Sequence, residues 1–424
     1  MSHKYAFILG RNPALSYAEI ISFFKRENII TETSGVSDEV TILKVEEEID
    51  GKKTISELGG TIKIAKINSI LELEDSDEQL FNLFSEENLF SHFFEKRKGK
   101  VHFGVSLYFL DPQSDFKPRY KKLLENINSI IKNNLRDAGQ SAGFVRIKER
   151  SLSSVSVVKN ELLKKGAEII LVFSKEKLFV GKTLAVQEFA DYSNRDYGRP
   201  KRDSRSGMLP PKLAKIMLNL SRLDKNSIIL DPFCGSGTIV TEAMLLGYQN
   251  IYGSDVSQKA VDSTSQNIDW LKNRYHGEII SPSLKIFQSE VSHISKYIDS
   301  HSLDSIITEP YLGPSFTRLP SDFEIKQVTK DLASLYKRSF EEFAKILKDK
   351  ATVIIVFPVF KSYQGYIWID IFNDLKSLGF HQTKLLSDDI AQKFPFYYSK
   401  RNTFIYGRGD EFIKREVVSL VFSP

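Results

Sequence analysis

Two short turns in this sequence carry the residues with the most evident chemistry, and each turn follows an apolar run. The first, Asp231–Gly237, reads Asp-Pro-Phe-Cys-Gly-Ser-Gly after the run Ile228–Leu230, and apolar residues then resume at helical spacing. This pattern predicts a strand, a glycine loop and a helix, which together can cradle a nucleotide. A dinucleotide loop would carry a third glycine where Val240 stands, and a P-loop would continue with Gly-Lys-Ser/Thr, so a phosphate ligand is not expected.

A carboxylate ends each of two predicted strands beside this loop. Asp231 lies where open α/β sheets bind ligands, and it could accept a hydrogen bond from a cationic amino group. Asp255 ends the next strand about 20 residues beyond the loop, the spacing at which an acidic side chain reaches a ribose diol. An amine and a ribose without phosphate describe S-adenosylmethionine; the alternative is an ordinary strand-turn-helix with a capping Asp. The residues predicted to bind this cofactor are Asp231, Pro232, Phe233, Gly235, Gly237, Thr238, Asp255 and Glu290.

Two of the residues near this loop also have plainer explanations. Glu290 follows the third predicted strand, where an acidic residue at a helix start is favourable through the helix dipole alone. Cys234 is the single cysteine of the chain, so no internal disulfide can form, and inside the loop it is expected to be a packing residue rather than a nucleophile. With 7 histidines and one cysteine, no cysteine-histidine zinc cluster is predicted, and the proposed chemistry requires no metal.

The string from Asp231 to Thr238 resembles the cofactor loop of class I methyltransferases, in the subgroup that modifies exocyclic amines of nucleobases. The second turn suits that chemistry. Glu309, Pro310 and Tyr311 follow the fourth predicted strand and are the predicted catalytic residues. A fixed acceptor would orient the amino group by taking one N–H hydrogen bond, a proline would fix the backbone, and an aromatic ring would stack on the base.

The methyltransferase motif at this place is Asp/Asn-Pro-Pro-Tyr/Phe, and this sequence departs from it twice. It has Glu309 in place of the Asp, and Tyr311 where the second proline would stand. The acceptor is therefore either the glutamate side chain or a backbone carbonyl, and the stacking residue is either Tyr311 or Leu312. A simple turn formed by Pro310, Gly313 and Pro314 is the structural alternative.

Beyond residue 209, predicted strands alternate with predicted helices, as a doubly wound, mostly parallel sheet requires. The expected strands are 227–231, 251–255, 284–287, 304–308, 351–357, 380–386 and 403–407. The resemblance implies the seven-stranded, Rossmann-like sheet of class I methyltransferases for residues 209–424.

The first 190 residues are predicted to form two α+β modules. Residues 1–95 fit a ferredoxin-like arrangement of strands and helices, and residues 96–190 resemble a THUMP domain, the RNA-binding module of several tRNA-modifying enzymes. Arg146, Lys148 and Arg150 alternate along a predicted strand, which would place three cations on one face, suited either to phosphates or to a solvated surface.

Residues 191–208 read as a basic linker with interleaved tyrosines, a composition that suits contact with a nucleic-acid backbone but is also common in flexible linkers. The predicted RNA contacts there are Arg195, Arg199, Lys201, Arg202 and Arg205.

The overall composition bounds these readings. The chain has 424 residues, enough for two or three domains, and 41% of them are hydrophobic and 27% charged. The formal net charge of +5 is too small to identify a nucleic-acid partner by itself. It contains no apolar stretch of about 18 residues and no secretion signal at its N-terminus, so no membrane association is predicted and a cytoplasmic location is expected.

Together, the cofactor loop, the basic segment and the Glu309 turn resemble the THUMP-containing tRNA guanosine-10 N2-methyltransferases. That resemblance implies transfer of one or two methyl groups from S-adenosylmethionine to the 2-amino group of a guanosine in tRNA, with the N-terminal half measuring the tRNA. Eukaryotic members use a small activator protein, and the sequence does not show whether this chain has one. The alternatives are an rRNA or DNA amino-methyltransferase acting on adenine N6 or cytosine N4, and an inactive RNA-binding relative.

Overall fold

The computed structural model describes residues 2–72, 76–111, 117–146, 149–202, 208–277, 279 and 281–424, with no account of the side chains of 76–78 and 117–120. Lys148 and Arg205, two of the predicted RNA contacts, lie outside the described residues. The chain forms two compact units, one of Met1–Tyr17 with Asn28–Phe189 and one of Ala18–Glu27 with Ala190–Pro424.

The first unit begins with a ferredoxin-like βαββαβ arrangement. Its elements are β1 (His3–Leu9), α1 (Pro13–Arg26), of which residues 18–26 belong to the second unit, β2 (Thr31–Val36), β3 (Val40–Val45), α2 (Gly51–Glu57) and β4 (Thr61–Glu72). The strands lie in the order β2-β3-β1-β4 and all three neighbouring pairs are antiparallel. The predicted ferredoxin-like topology is therefore present.

The same sheet continues through the second half of this unit. The added elements are α3 (Ser76–Leu83), α4 (Glu86–His92), β5 (Val101–Phe109), α5 (Lys117–Asp137), β6 (Ala142–Phe144), α6 (Ser154–Lys159), β7 (Gly166–Phe173) and β8 (Lys177–Val186). The order is β4-β8-β7-β5-β6, with β8 antiparallel to both neighbours and β5 parallel to β7 and β6. Because one sheet crosses residue 95, the subdivision at 95/96 stays a prediction.

One local prediction in this unit is wrong. The strand predicted to carry Arg146, Lys148 and Arg150 ends at Phe144, so Arg146 and Arg150 follow it in irregular chain and strand alternation does not place them. Farther along the chain, α6 ends at Lys159, because the next residues form turns in which Glu161 has φ +52°.

The segment predicted as a basic linker is largely helical. It contains α7 (Phe189–Ser193) and a π-helical turn, Asn194–Gly198. Two buried arginines, Arg195 and Arg199, fasten it to the second unit, as described below.

The second unit alternates strands and helices around one large sheet. Its remaining elements are α8 (Pro211–Leu220), β9 (Ile228–Asp231), α9 (Thr238–Leu245), β10 (Asn250–Asp255), α10 (Gln258–Arg274), β11 (Ser283–Gln288), a 3-10 helix (Val291–Lys296), β12 (Leu303–Thr308), α11 (Asp322–Ile346), β13 (Leu347–Ser362), β14 (Gly365–Trp368), α12 (Phe372–Ser377), β15 (Phe380–Gln382), α13 (Asp388–Ala391), β16 (Phe404–Tyr406) and β17 (Ile413–Phe422).

Seven of these strands form the path β11-β10-β9-β12-β13-β17-β15, to which β14 and β16 attach at the side. Pairing is parallel from β11 to β13, and β17 is antiparallel to both β13 and β15. This is the predicted Rossmann-like class I methyltransferase sheet. The predicted seventh strand at 403–407 is only the short β16, because β17, which the sequence reading missed, takes the central antiparallel place.

The core of this sheet is apolar, and α11 covers part of it. Phe340, Phe343 and Ile346 of α11 pack with Ile306 of β12 and Val353 of β13 in one buried cluster. Such a core fixes the carboxyl ends of β9, β10 and β12 along one edge, where ligands bind in open α/β sheets. Among the described helices, none combines the length and apolar character needed to traverse a lipid bilayer.

Candidate active site

The loop between β9 and α9 has a backbone that only glycine adopts readily. Gly235 has φ +55°, and Gly237, which caps α9, has φ +81°. A Cβ on Gly237 would stand 2.8 Å from the Thr264 methyl carbon, so this position also lacks space for a side chain. The loop therefore needs these two glycines for conformation, and the second for close packing against α10.

Asp255 holds this loop from the end of β10. Its carboxylate accepts hydrogen bonds from the Gly235 amide at 3.0 Å and from the Ser257 amide at 2.9 Å. The Cys234 amide donates to the Ser254 carbonyl at 2.9 Å, so the loop crosses the end of β10. Asp255 is thus a structural anchor as well as a candidate ribose ligand.

Asp231 is a buried carboxyl group at the end of β9. It accepts from the Thr308 hydroxyl at 2.6 Å and from the Phe233 amide at 3.2 Å. Burial raises the pKa of Asp231 to about 7, and the carboxylates of Asp255 and Glu309 act in the same direction. A cation placed beside this group would favour its charged form.

Glu309, directly after β12, is held by an arginine that the sequence reading missed. Arg415 of β17 donates from Nε to Oε1 at 2.5 Å and from Nη2 to Oε2 at 3.4 Å, and both side chains are largely buried. Burial raises the pKa of Glu309, while the Arg415 charge opposes that rise. No sequence signal connects these residues, since they meet only through the pairing of β13 with β17.

A hydrogen bond from a buried tyrosine fixes the turn of the chain after Glu309. The Tyr336 hydroxyl of α11 donates to the Tyr311 carbonyl at 2.6 Å, and Gly313 has φ +100°. The Tyr311 side chain remains 55% exposed. Its ring is therefore accessible to a ligand while its backbone is fixed.

One cavity of about 710 Å³ joins both turns. Of the predicted cofactor and catalytic residues, those lining it are Asp231, Pro232, Phe233, Gly235, Thr238, Asp255, Glu290, Glu309, Pro310 and Tyr311. Gly237 is not among them and shapes the loop from behind. Leu312, the other stacking candidate, lines the cavity too, as do Met208, Val256, Lys259 and Leu335, which the sequence reading did not single out.

Two minor predictions can be placed on this geometry. Glu290 is exposed, lines the cavity and stands at the N-cap position of the 3-10 helix, so the cofactor contact and the helix-start explanation both stay predictions. Cys234 is buried, and burial raises the pKa of its thiol, as expected of a packing residue rather than a nucleophile.

The predicted RNA-contacting arginines divide into two groups. Arg195 and Arg199 are each only 5% exposed: Arg195 pairs with Glu242 and Asp191, and Arg199 donates to the Thr238 hydroxyl at 2.7 Å. Burial alone would lower the pKa of Arg195, but Glu242, Tyr192 and Asp191 together outweigh it and the pKa is raised. These two guanidinium groups are buried and bound to other protein groups, so they are not accessible to RNA as the sequence analysis predicted.

The remaining described cations are exposed. Lys201 and Arg202 line the edge of the cavity, and Arg202 lies 5.1 Å from the Tyr197 ring centroid. Arg146 is exposed in the first unit, where Arg150 is half-exposed and pairs with Glu39. Spacing alone could not separate these residues from the two buried arginines.

The cavity fits S-adenosylmethionine. Its volume is that of a cofactor site, Gly235 of the loop lines it without a side chain, and the carboxyl groups of Asp231 and Asp255 lie at the ends of adjacent strands. Among the residues described, no group of three or more His, Cys, Asp or Glu side chains could hold a metal ion.

Comparisons with known proteins agree with this geometry. The RMKL-like methyltransferase-domain family matches residues 199–364, and a DNA methylase family matches residues 120–266. The crystal structure of TrmN from Thermus thermophilus aligns over 100% of both chains with a TM-score of 0.54 and 14% sequence identity, a likeness of fold.

Two archaeal relatives match in sequence. A probable tRNA (guanine(10)-N2)-dimethyltransferase from Methanothermococcus thermolithotrophicus is 32% identical over 30% of this chain and 74% of its own length. A tRNA (guanine(10)-N2)-dimethyltransferase from Pyrococcus abyssi is 30% identical over 46% of this chain, and the match spans about half, 52%, of that relative's length. The methyltransferase domain takes S-adenosylmethionine as its cofactor, and the chain belongs to the family of THUMP-containing tRNA (guanine-N2)-methyltransferases.

Proposed function

We propose that this chain methylates the exocyclic N2 of a guanosine in tRNA, at position 10. The observation that carries the proposal is the single cavity shared by the glycine loop and the Glu309 turn. The names of the archaeal relatives supply the base, the atom and the position.

Within this proposal, Asp231 faces the amino group of the cofactor and Asp255 faces its ribose. Bound S-adenosylmethionine supplies an electrophilic methyl group at the cavity. The other partner is a weak nucleophile, because the lone pair of a guanine 2-amino group is delocalised into the ring. The protein therefore has to hold that amino group in one orientation.

The Glu309 turn is suited to orient the amine. Glu309 lines the cavity and can accept one N–H hydrogen bond, while Pro310 restricts the backbone that carries it. The exposed ring of Tyr311 can stack on the plane of an extruded base. Leu312, on the same wall, remains an alternative contact for the base.

The RNA backbone is proposed to contact the exposed cations rather than the buried ones. Lys201 and Arg202 lie at the edge of the cavity, where phosphates next to an extruded nucleotide would pass, and Arg146 is exposed in the first unit. We further propose that residues 1–95 form a ferredoxin-like module and residues 96–190 a THUMP-like module, and that both bind tRNA. Residues 191–208 connect these modules to the methyltransferase domain, residues 209–424. The protein is proposed to work in the cytoplasm.

The test uses the purified chain alone, unmodified tRNA transcripts and S-adenosylmethionine labelled in the methyl group. Nucleoside analysis should find label in N2-methylguanosine or N2,N2-dimethylguanosine, and a transcript with adenosine at position 10 should stay unlabelled. Label in N6-methyladenosine or N4-methylcytidine would overturn the substrate assignment. Activity without another protein would show that no activator is required.

The DNA methylase match favours one second candidate, an amino-methyltransferase acting on other nucleic acids. Competition among tRNA, rRNA fragments and duplex DNA for the same labelled methyl group separates the two. Binding of tRNA without any turnover would instead support an inactive relative, as the departures from the motif at Glu309 and Tyr311 allow.

A further inference from the structure

Glu309 is engaged by an arginine from a strand far away in sequence. Arg415 is near the start of β17, paired in register with Pro358 of β13 and Tyr406 of β16. Its side chain and that of Glu309 are 13% and 11% exposed. A guanidinium in such a buried pair contacts its partner in a fixed geometry.

The neighbours of Arg415 on β17 point elsewhere. Lys414 lies 4.7 Å from the centroid of the Tyr366 ring. Glu416 accepts from the Thr403 hydroxyl at 2.6 Å and pairs with Arg401 at 3.4 Å. Alternation along the strand thus directs Arg415 alone of these three toward Glu309.

The two oxygens of Glu309 are engaged unequally. Oε1 accepts the short hydrogen bond from Nε at 2.5 Å, whereas the Nη2 contact to Oε2 is 3.4 Å. A carboxylate oxygen has two lone pairs, so Oε2 keeps capacity for another donor while Oε1 is fixed. The glutamate side chain, longer than the aspartate of the usual motif, can span from the β12 terminus to this guanidinium and still line the cavity.

We propose that Arg415 is a positioning residue, which binds Oε1 of Glu309 and thereby presents Oε2 as the acceptor for the amino group that is methylated. This inference rests on the proposed function. It assigns the acceptor to the side chain rather than to a backbone carbonyl, and it explains why a glutamate is accommodated at this position.

The charges around Glu309 make its pKa a measurable property that should change if Arg415 is removed, whereas a purely structural role of Arg415 would not change it. Besides Arg415, the ionisable groups that face Glu309 are Asp231 on β9 and Tyr336 on α11, while Glu411 and Tyr406 face Arg415. Burial raises the pKa of Glu309 and Arg415 is the cation that opposes this rise. Without Arg415 the pKa of Glu309 should rise further. Glu309 would then become a neutral carboxyl group, which is a poorer acceptor, at a higher pH than in wild type.

The experiment compares Arg415→Met, Arg415→Lys and a matched control, Lys414→Met, which removes the adjacent cation. We expect Arg415→Met to lower kcat for tRNA methylation by at least about tenfold, with the KM for tRNA and the Kd for S-adenosylhomocysteine within about threefold of wild type. The acidic limb of its pH-rate profile should move to higher pH. Arg415→Lys should restore part of kcat and move the limb back, and Lys414→Met should match wild type.

A second measurement separates this inference from the proposed function. Carboxyl ¹³C NMR of Glu-labelled protein, assigned with Glu309→Gln, reports the titration of Glu309 without any RNA. A higher pKa in Arg415→Met and an intermediate one in Arg415→Lys support the pairing even if no tRNA is methylated, a result that would reject only the proposed function. An unchanged Glu309 titration, or an active Arg415→Met enzyme with a wild-type pH profile, would overturn the role of Arg415.

Discussion

Glu309 and Asp255 line the same cavity, yet mutation should separate their roles because the proposed function assigns them to different ligands. Glu309→Ala removes the proposed acceptor and should lower methyl transfer by at least about 100-fold, while the Kd for S-adenosylhomocysteine stays within about threefold. Single-turnover methylation and calorimetric titration measure the two effects. Equal loss of cofactor binding would show that Glu309 supports the cavity as a whole.

Asp255→Ala should produce the reverse pattern. The carboxylate anchors the amides of Gly235 and Ser257, so its removal loosens the loop in addition to removing the proposed ribose partner. Loss of charge-assisted hydrogen bonds predicts cofactor binding weaker by about 10- to 100-fold. Saturating cofactor should restore much of the rate, and a rate that stays low at saturation would contradict a role confined to binding.

Asp231 should make cofactor binding depend on pH. Its pKa of about 7 means that the free carboxyl group is mostly protonated below pH 7. A cationic amino group favours the carboxylate, so binding must then release a proton, and the affinity should fall as the pH decreases from about 7 to about 5.5. The cofactor amino group keeps its charge in this range, since an α-amino group has a pKa of about 8.

Calorimetry in buffers of different ionisation enthalpy measures both the affinity and the released protons. Asp231→Asn removes the titrating group and keeps the shape, so its binding should be weaker and independent of pH over this range. Proton release that persists in Asp231→Asn would assign the effect to another residue.

At the residue scale, the sequence was informative where chemistry depends on neighbours in the chain. The Asp231–Thr238 loop and the Glu309 turn could be identified because glycines, prolines and carboxylates occur there in a fixed order. Arg415 could not be identified, because its partner lies 106 positions away and the two meet only through strand pairing. The burial of Arg195 and Arg199 could not be predicted either, because an arginine in a basic segment looks the same in the sequence whether its side chain contacts water or a buried acid such as Glu242.

At the scale of elements, the segment 190–202 is a fixed part of the second unit. Arg195 pairs with Glu242 of α9, the Tyr275 hydroxyl donates to Asp191, and the Asn267 side chain of α10 donates to the Lys201 carbonyl at 2.9 Å and accepts from its amide at 3.0 Å. Asn267 also donates to the Ser236 carbonyl of the glycine loop at 2.8 Å. The segment and the loop therefore share one anchor.

Arg195→Met should destabilise the protein by about 3 to 5 kcal/mol, because it leaves the Glu242 carboxylate buried without its cation. Urea unfolding measures the loss. The double variant Arg195→Met, Glu242→Met should recover most of the stability, since both charges of the pair are removed together. A matched control, Lys165→Met, breaks an exposed pair with Glu161 and should unfold like wild type. A single variant as stable as wild type would show that the pair is not needed.

Strands were predicted correctly where the apolar residues lie next to one another in the sequence. They were missed where pairing with distant residues determines that the segment is a strand. The parallel strands β9 to β12 are short runs bounded by turns, and each was expected within one residue at either end, whereas the 16-residue β13 was expected only over its central part, 351–357. β17 was missed because its first half, Ile413–Glu416, is mostly charged, and that charge is tolerated only through partners such as Glu309 for Arg415 and Arg401 for Glu416. No local pattern reports such compensation.

At the scale of the whole molecule, each unit is built on one continuous sheet, and the sheet of the first unit contains a buried ionic network. Lys63 of β4 donates to Glu168 of β7 at 2.5 Å and to the Leu152 carbonyl at 2.6 Å. Ser106 of β5 and Thr183 of β8 donate to the same carboxylate at 2.6 and 2.7 Å. Four neighbouring strands from both predicted N-terminal modules therefore meet at one carboxylate.

Removing the cation from this network tests whether the sheet folds as one body. Lys63 and Glu168 are 2% and 0% exposed, so Lys63→Met should destabilise the first unit by about 3 to 5 kcal/mol. The double variant Lys63→Met, Glu168→Gln should recover part of this, because the amide oxygen can still accept from Ser106 or Thr183. Hydrogen exchange should show the loss in β4, β5, β7 and β8 together. The cavity residues all lie between 201 and 335, so the Kd for S-adenosylhomocysteine should match wild type where the protein is folded. If exchange accelerated only in β4, residues 1–95 would behave as a separate domain despite the shared sheet.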